Sequence, residues 1–240
     1  MDMWYKRTEI LLGKKELEKL RESSVLVVGL GGVGSYAAEF LVRSGIGKLT
    51  IVDSDIVEKT NINRQIQALH STIGKNKAIV LGKRLKDINP DLNLTINTNY
   101  LDENEIKRVL SIGDYDYVVD AIDTLTPKIL LIYHTLEKGY PLISAMGTGG
   151  KLDPTQIKIV DFSQTYGDKF ARHLRKKLHK LGIYSGFKAV FSAEPIKPCS
   201  LIYVNERNKK TSLGTIVFVP ALFGLYCSYT VINDIINLNV

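Results

Sequence analysis

SSVLVVGLGGVGSYAAEFLVRSGIGKLTIVDSDIVEKTNINRQ, from Ser23 to Gln65, decides the fold. Val25 to Val28 form a short apolar run that ends in Gly29, Gly31, Gly32 and Gly34, and apolar residues then recur at helical spacing through Ala37, Phe40 and Leu41. This order is strand, glycine turn, helix. Glycines allow the tight turn and a close approach of backbone to ligand, and the start of the following helix offers unpaired N–H groups to a phosphate. A second apolar strand, Lys48 to Val52, ends in Asp53, about 20 residues past the turn, where an acidic side chain usually bonds a ribose hydroxyl. A nucleotide is expected here.

The residues after Asp53 narrow the nucleotide. Asp55, Asn61, Asn63, Arg64 and Gln65 lie close together, with Lys75 and Lys77 just beyond. A nicotinamide cofactor carries a compact diphosphate held by helix N–H groups and needs no such cluster. ATP carries roughly four negative charges, and attack on its α-phosphate expels pyrophosphate, so placed Arg and Lys groups stabilise the developing charge. Adenylyl transfer is the expectation.

Upstream, Glu9 to Leu20 reads as a helical segment with a break at Gly13, and Arg7 stands just ahead of it. Downstream, Ala78, Leu81, Leu85 and Ile88 are at helical spacing in Lys75 to Ile88, and Pro90 stops the helix. Lys77 falls in the first turn, where a cation opposes the helix dipole unless an anion is near. Leu92 to Tyr100 alternates as a third strand, and a short helix covers Asp102 to Ser111. Tyr117 to Val119 make a fourth strand with Asp120 and Asp123 at its carboxyl end, where parallel sheets bind ligands. A helix cap suits one of these carboxylates, and a magnesium or nucleotide contact suits the pair equally. Pro141 to Ala145 is a fifth strand, Gly147 to Gly150 a second glycine turn that either lines the site or merely bends, and Gln156 to Phe162 a continuation of the sheet.

Asp168 to Leu181, DKFARHLRKKLHKL, places Phe170, Leu174, Leu178 and Leu181 on one helical stripe and Lys169, Arg172, His173, Lys176 and Lys180 on another. A solvated charged face normally mixes signs. With Arg175 added, this one is cationic enough to serve an RNA backbone. Phe187 to Glu194 and Leu201 to Val204 read as short strands, Arg207 to Ser212 as a mobile basic loop, and Ile216 to Ile232 as a buried helix, interrupted by Pro220, Gly224, Ser228 and Tyr229 and short of a membrane span.

At 240 residues, 45% hydrophobic and 24% charged, the chain reads as one globular domain, with a nucleotide core over 1–150 and an extension over 151–240. The net charge of +7 suits a polyanionic partner. Its two cysteines, Cys199 and Cys227, form no CxxC, which argues against a zinc knuckle or disulfide framework. The opening MDMWYKRTEILLG lacks an apolar h-region, so a cytoplasmic location is expected. His70, His134, His173 and His179 show no metal-ligand spacing.

RTEILLG at Arg7, GLGGVGS at Gly29, DSD at Asp53, NINRQ at Asn61, GKNKA at Gly74 and DAID at Asp120 together resemble the ubiquitin-activating-enzyme-like adenylyltransferases of the ThiF/MoeB type. The resemblance implies a Rossmann-like α/β fold with a mainly parallel sheet. It implies Arg64 and Lys77 on the triphosphate, Asp53 on the ribose, Asp123 on magnesium, and Arg7 reaching into the site of a second copy in a homodimer. Within that superfamily, TNINRQ at Thr60, INP at Ile88, GTGGKLDPTQI at Gly147, the basic helix, VFSAEP at Val190 and SLGTIVFVPALFG at Ser212 resemble the tRNA threonylcarbamoyladenosine dehydratases (TcdA/CsdL family) over nearly the whole chain. The implied reaction closes the modified adenosine beside the tRNA anticodon into a ring at the expense of ATP. Expected cofactors are ATP and Mg2+, with Na+ or K+ as a candidate addition; expected partners are tRNA, a second copy of the chain and a cysteine desulfurase or sulfur acceptor. Pro198 to Lys210 does not align, so Cys199 receives no role, while Cys227 is expected to be buried in the terminal helix. Rival readings are activation of a sulfur-carrier protein, an NAD-dependent oxidoreductase, and a non-catalytic tRNA-binding module.

Overall fold

The computed structural model describes residues 4–197, 200–206 and 209–237. The glycine turn sits where expected, between β1 (Ser24–Val28) and α3 (Gly34–Ser44), and β2 (Lys48–Val52) follows. Val25 to Val28 have no solvent exposure, and burying each such side chain is worth roughly 1.5–3 kcal/mol. Before β1, α1 (Lys6–Leu12) and α2 (Lys14–Glu22) are divided at Gly13, whose φ of 85° no helix tolerates.

The chain then runs through α4 (Lys77–Ile88), β3 (Asn93–Asn97), α5 (Glu103–Ile112), β4 (Tyr117–Asp120), α6 (Leu125–Glu137) and β5 (Leu142–Ala145). It continues with β6 (Ile157–Asp161), α7 (Lys169–His179), β7 (Lys188–Ser192), β8 (Leu201–Glu206), β9 (Lys209–Leu213) and α8 (Phe218–Ile236). The side chains of Asn76, Asp102 and Asp168 cap α4, α5 and α7: each accepts from the backbone N–H three residues on, at 3.2, 2.8 and 2.6 Å.

The seven-stranded sheet has the order β3-β2-β1-β4-β5-β7-β6. Every pairing is parallel except β6 with β7. The expected α/β architecture is thus borne out. Helices α2, α3, α4 and α8 bury their apolar faces on one side of the sheet and α5, α6 and α7 on the other. The chain winds outward from β1 to β3 and then returns to β4 on the other flank of β1, so the strand order reverses between β1 and β4. Ligands bind in the crevice that such a reversal opens at the carboxyl ends of the strands. Register brings Val28 level with both Val52 and Asp120, and Asp120 level with Ser144.

The expected buried terminal helix is α8. By length and composition it is long and apolar enough to cross a membrane, with a mean hydropathy of 1.3, but half of it is buried, and Val219, Phe223, Cys227 and Val231 lie in the core against α3 and β5. The basic loop expected over Arg207–Ser212 is corrected in part: from Lys209 onward the chain is strand β9, paired antiparallel with β8. Arg207, like Cys199, lies outside the described residues. β9 reads KKTSL, with a single apolar residue, so it shows no apolar alternation to mark it as a strand.

Candidate functional site

The glycines of the first turn are required for different reasons. Gly29 has φ 86°, and a Cβ there would lie 2.8 Å from the Ala121 carbonyl oxygen. A Cβ on Gly34 would lie 1.8 Å from the Gly29 carbonyl oxygen, so this residue lets α3 start against the turn. On Gly32 it would meet Pro220 at 3.1 Å and the Arg64 carbonyl oxygen at 3.2 Å, but on Gly31 it would find nothing nearer than Gln65 Nε2 at 3.9 Å. Among the described residues, none stands close enough to demand a glycine at 31. The α3 N-cap, Val33, supplies no side-chain acceptor, and of the first-turn N–H groups that of Ser35 is taken by the Gly31 carbonyl at 3.2 Å; a helix start of this kind suits an anion.

Asp53, at the end of β2, is buried. Its Oδ2 accepts from the Leu30 N–H at 2.6 Å and its Oδ1 from the Asp55 N–H at 2.8 Å. Burial pushes its carboxyl above the usual range, opposed by the nearby Lys77 charge. Lys77 is itself nearly buried in the first turn of α4, and its Nζ pairs with Asp55 Oδ2 at 2.8 Å. The Asp55 side chain is 68% exposed, so the pair presents its carboxylate to solvent and its ammonium toward Asp53.

Loop 58–65 sets Arg64. Asn61 Oδ1 accepts from the Glu58 N–H at 3.1 Å, and the Asn61 carbonyl accepts from the Arg64 and Gln65 N–H groups, both at 3.0 Å. Arg64 Nη1 donates to the Thr60 carbonyl and to Asn63 Oδ1, each at 2.9 Å, and Asn63 Nδ2 donates to the Thr215 carbonyl at 3.1 Å. Burial lowers the Arg64 pKa, and the charges of Asp123 and Glu58 oppose that shift. Asn61 and Gln65 are 6% and 5% exposed, so Asn61 acts here by shaping the loop. Gln67, which the sequence reading passed over, is 1% exposed, and its Nε2 donates to the Leu30 carbonyl at 2.6 Å, pinning the glycine turn from below.

Of the two carboxylates after β4, only Asp123 is exposed. Asp120 is corrected: it has no exposure, pairs with Lys128 at 2.8 Å, and accepts from Ser144 Oγ at 2.7 Å and the Ile122 N–H at 3.1 Å. It is walled off from solvent, with its oxygens taken by internal partners. Neither carboxylate caps α6, whose N-cap is Thr124. The signal missed was Lys128, a cation in the otherwise apolar helical run KILLI.

The second glycine turn docks onto the hairpin and the basic helix. Gly150 N–H donates to the Gly214 carbonyl at 2.7 Å, and Lys151, 2% exposed, pairs with Asp168 at 3.0 Å and donates to the Ser192 carbonyl. The N-terminus of α7 is thereby tied to the carboxyl end of β7. Lys169, Arg172, His173, Lys176 and Lys180 are exposed along this helix. Arg175 is half-buried: its Nη2 donates to the carbonyl and Oγ1 of Thr165, and its guanidinium lies 5.8 Å from the Phe162 ring centre. It latches the helix to the sheet. Arg7 stands exposed on α1, where Lys6 takes Glu9 at 3.1 Å.

Among the described residues, no group of three His, Cys, Asp or Glu side chains gathers to hold a metal. Mg2+ needs no such group, since it keeps several waters and takes phosphate oxygens with only one or two carboxylates, and Asp123 is an exposed carboxylate that could serve it. Burial pushes the Cys227 thiol up to about 12, which leaves it inert. A recess of about 410 Å3 lined by Ser24, Lys48, Asn93 and Tyr115 opens at the amino ends of the strands, away from all these groups.

The family model described as the ThiF family matches residues 5–238. The chain is 40% identical over 241 residues to a tRNA threonylcarbamoyladenosine dehydratase of Bacillus subtilis, covering 97% of this chain and 94% of that protein. Its structure superposes on Escherichia coli tRNA N6-threonylcarbamoyladenosine dehydratase, TcdA, in complex with ATP, with a TM-score of 0.89 and 35% identity over 99% of this chain and 96% of the other. A probable molybdopterin-synthase adenylyltransferase of Porphyra purpurea is also 40% identical, but over 50% of this chain and 31% of that protein.

Proposed function

Because the chain belongs to the ThiF family, we propose that it is an ATP-dependent tRNA threonylcarbamoyladenosine dehydratase working as one unit over 1–240. The observation that carries this reading is coverage. Likeness to the dehydratases runs through the second glycine turn, α7 and α8, whereas likeness to the sulfur-carrier activator spans half the chain. An oxidoreductase leaves Arg64 and Lys77 without a purpose, and a bare tRNA-binding module leaves the whole crevice without one.

The threonyl carboxylate of the modified adenosine attacks the α-phosphorus of ATP, the bond to the β-phosphate oxygen breaks, and pyrophosphate leaves. An atom of the adjoining carbamoyl group then attacks the activated carbonyl carbon, a ring closes, and AMP departs carrying the carboxylate oxygen. The sum is loss of one water from the nucleoside, with ATP converted to AMP and pyrophosphate. Tethering the second nucleophile gives effective concentrations of about 10⁵ M or more, so no protein nucleophile is required.

In this scheme the turn at Gly31 and the start of α3 bind the phosphates, Asp53 takes the ribose, and Arg64 and Lys77 stabilise charge on the transferring phosphoryl group. Asp123 would hold Mg2+, which supplies Lewis-acid neutralisation of the phosphate oxygens. Lys169, Arg172, Lys176 and Lys180 take the RNA backbone. Ile10 and Leu11, 74% and 83% exposed beside Arg7, suit a homodimer contact that carries Arg7 to the neighbouring site. Mass spectrometry of nucleosides from tRNA treated with protein and ATP tests the reading. A threonylcarbamoyladenosine peak lighter by one water supports it; ATP consumption triggered by a small carrier protein and indifferent to tRNA refutes it.

A further inference from the structure

The segment that carries Asp123 is held by a buried ion pair that no step above uses. Lys128 and Asp120 are both at 0% exposure and meet at 2.8 Å. Lys128 Nζ also donates to the Ile122 carbonyl at 3.0 Å, while Asp120 Oδ1 accepts from the Ile122 N–H at 3.1 Å. The two partners therefore take both backbone polar groups of the residue just before Asp123. Ser144 Oγ, on the neighbouring strand, fixes Asp120 Oδ2 at 2.7 Å. On the other side, the Ala121 N–H donates to the Val28 carbonyl at 2.8 Å, and the Ala121 carbonyl abuts Gly29, where a Cβ would stand 2.8 Å from it. Ala121 and Ile122 are thus held between the glycine turn and the ion pair, immediately before Asp123.

Such a pair is a poor way to stabilise a core, because desolvating two charges offsets most of their attraction and well-packed apolar residues of similar volume do as well or better. What apolar residues cannot do is bond the N–H and the carbonyl of Ile122 together. We propose that Lys128 is a positioning residue for adenylation: with Asp120 it fixes the Ile122 backbone so that the Asp123 carboxylate meets the divalent cation that enters with the nucleotide, opposite Arg64. This rests on the reading of Asp123 as the magnesium-holding carboxylate. Partners that orient a ligating group typically change metal affinity by about 10–100-fold when removed.

The test measures Mn2+ affinity by electron paramagnetic resonance, with the full chain saturated by an ATP analogue bearing an α,β-methylene bridge, so no turnover enters the readout. Asp120→Asn/Lys128→Met removes both charges together and leaves no lone buried ion. It is expected to weaken Mn2+ binding about tenfold or more, with the thermal midpoint retained and analogue binding in EDTA unchanged. A merely structural pair would move the midpoint and leave the metal affinity alone. If Asp123→Ala weakens Mn2+ binding while the folded double variant keeps wild-type affinity, the positioning role is overturned and the role of Asp123 stands. If Asp123→Ala also binds Mn2+ normally, the metal reading falls and this inference with it. Should the double variant not fold, Ser144→Ala loosens Asp120 without touching a charge. It is expected to cost about threefold in Mn2+ affinity; wild-type affinity there overturns the proposal.

Discussion

Gly31→Ala separates what the fold requires from what the ligand requires. An added Cβ would meet nothing closer than Gln65 Nε2 at 3.9 Å, and Gly31 is not among the glycines with positive φ. The native state therefore accepts the methyl, while the unfolded chain loses freedom worth about 0.4–1 kcal/mol. At about 2–4 °C per kcal/mol for a chain of this size, the thermal midpoint should hold or rise by roughly 1–4 °C. ATP should fare differently. A methyl in a cradle where backbone touches phosphate forces a displacement of the kind that costs about 1–3 kcal/mol in a packed site, or roughly 5- to 150-fold in affinity. Calorimetric titration with a non-hydrolysable ATP analogue, beside a ligand-free thermal melt, reads both quantities. Gly34→Ala is the contrasting control: with 1.8 Å to the Gly29 carbonyl, it should lower the midpoint by roughly 2–12 °C on the same scales. A Gly31→Ala protein that melts normally and binds the analogue like wild type would refute the phosphate cradle.

Three further variants probe single charges. Arg175→Ala should lower the melting temperature by breaking the latch on Thr165 and Phe162 while leaving the salt dependence of tRNA binding alone; Lys176→Ala should leave the melt unchanged and shrink the slope of log affinity against log salt by about 0.7–0.9. Glu105 is held at about 2 by the Arg108 guanidinium and, less strongly, by the Asn97 and Asn99 amides. Its pKa lies below the unfolded value of about 4.3, so its stabilisation is present above that pH and is lost as pH falls toward 2. The difference in melting temperature between wild type and Glu105→Gln should therefore be full at pH 7 and close between about pH 4 and 2; a difference that persists at the acid end contradicts the assignment.

The nucleotide half was legible because its signals are local. β1 carries the apolar run Val25 to Val28 and β2 is mostly apolar, the glycine turn follows β1, and Gly13 and Pro90 punctuate the flanking helices. The placement of β7 between β5 and β6, which leaves β6 as an antiparallel edge strand, was not legible, since strand insertion depends on tertiary pairing rather than on any residue in the strand. Asp120 and Asp123 look alike in DAID, yet one faces Lys128 in the interior and the other the crevice. Choosing between them needs the return path of α6, which brings a lysine back under the strand end. The internal partner of Arg175 was hidden for a related reason: it borders the Leu174 and Leu178 stripe, and a wheel cannot show that Thr165 waits beside it.

The central claim is that the cations after β2 serve a triphosphate under attack by a carboxylate, and exchange of labelled pyrophosphate into ATP tests it most directly. With tRNA bearing threonylcarbamoyladenosine, the wild-type protein should catalyse exchange, and Arg64→Ala should reduce it by about 10²–10³-fold without loss of folded protein. Exchange at the wild-type rate in that variant would contradict the account.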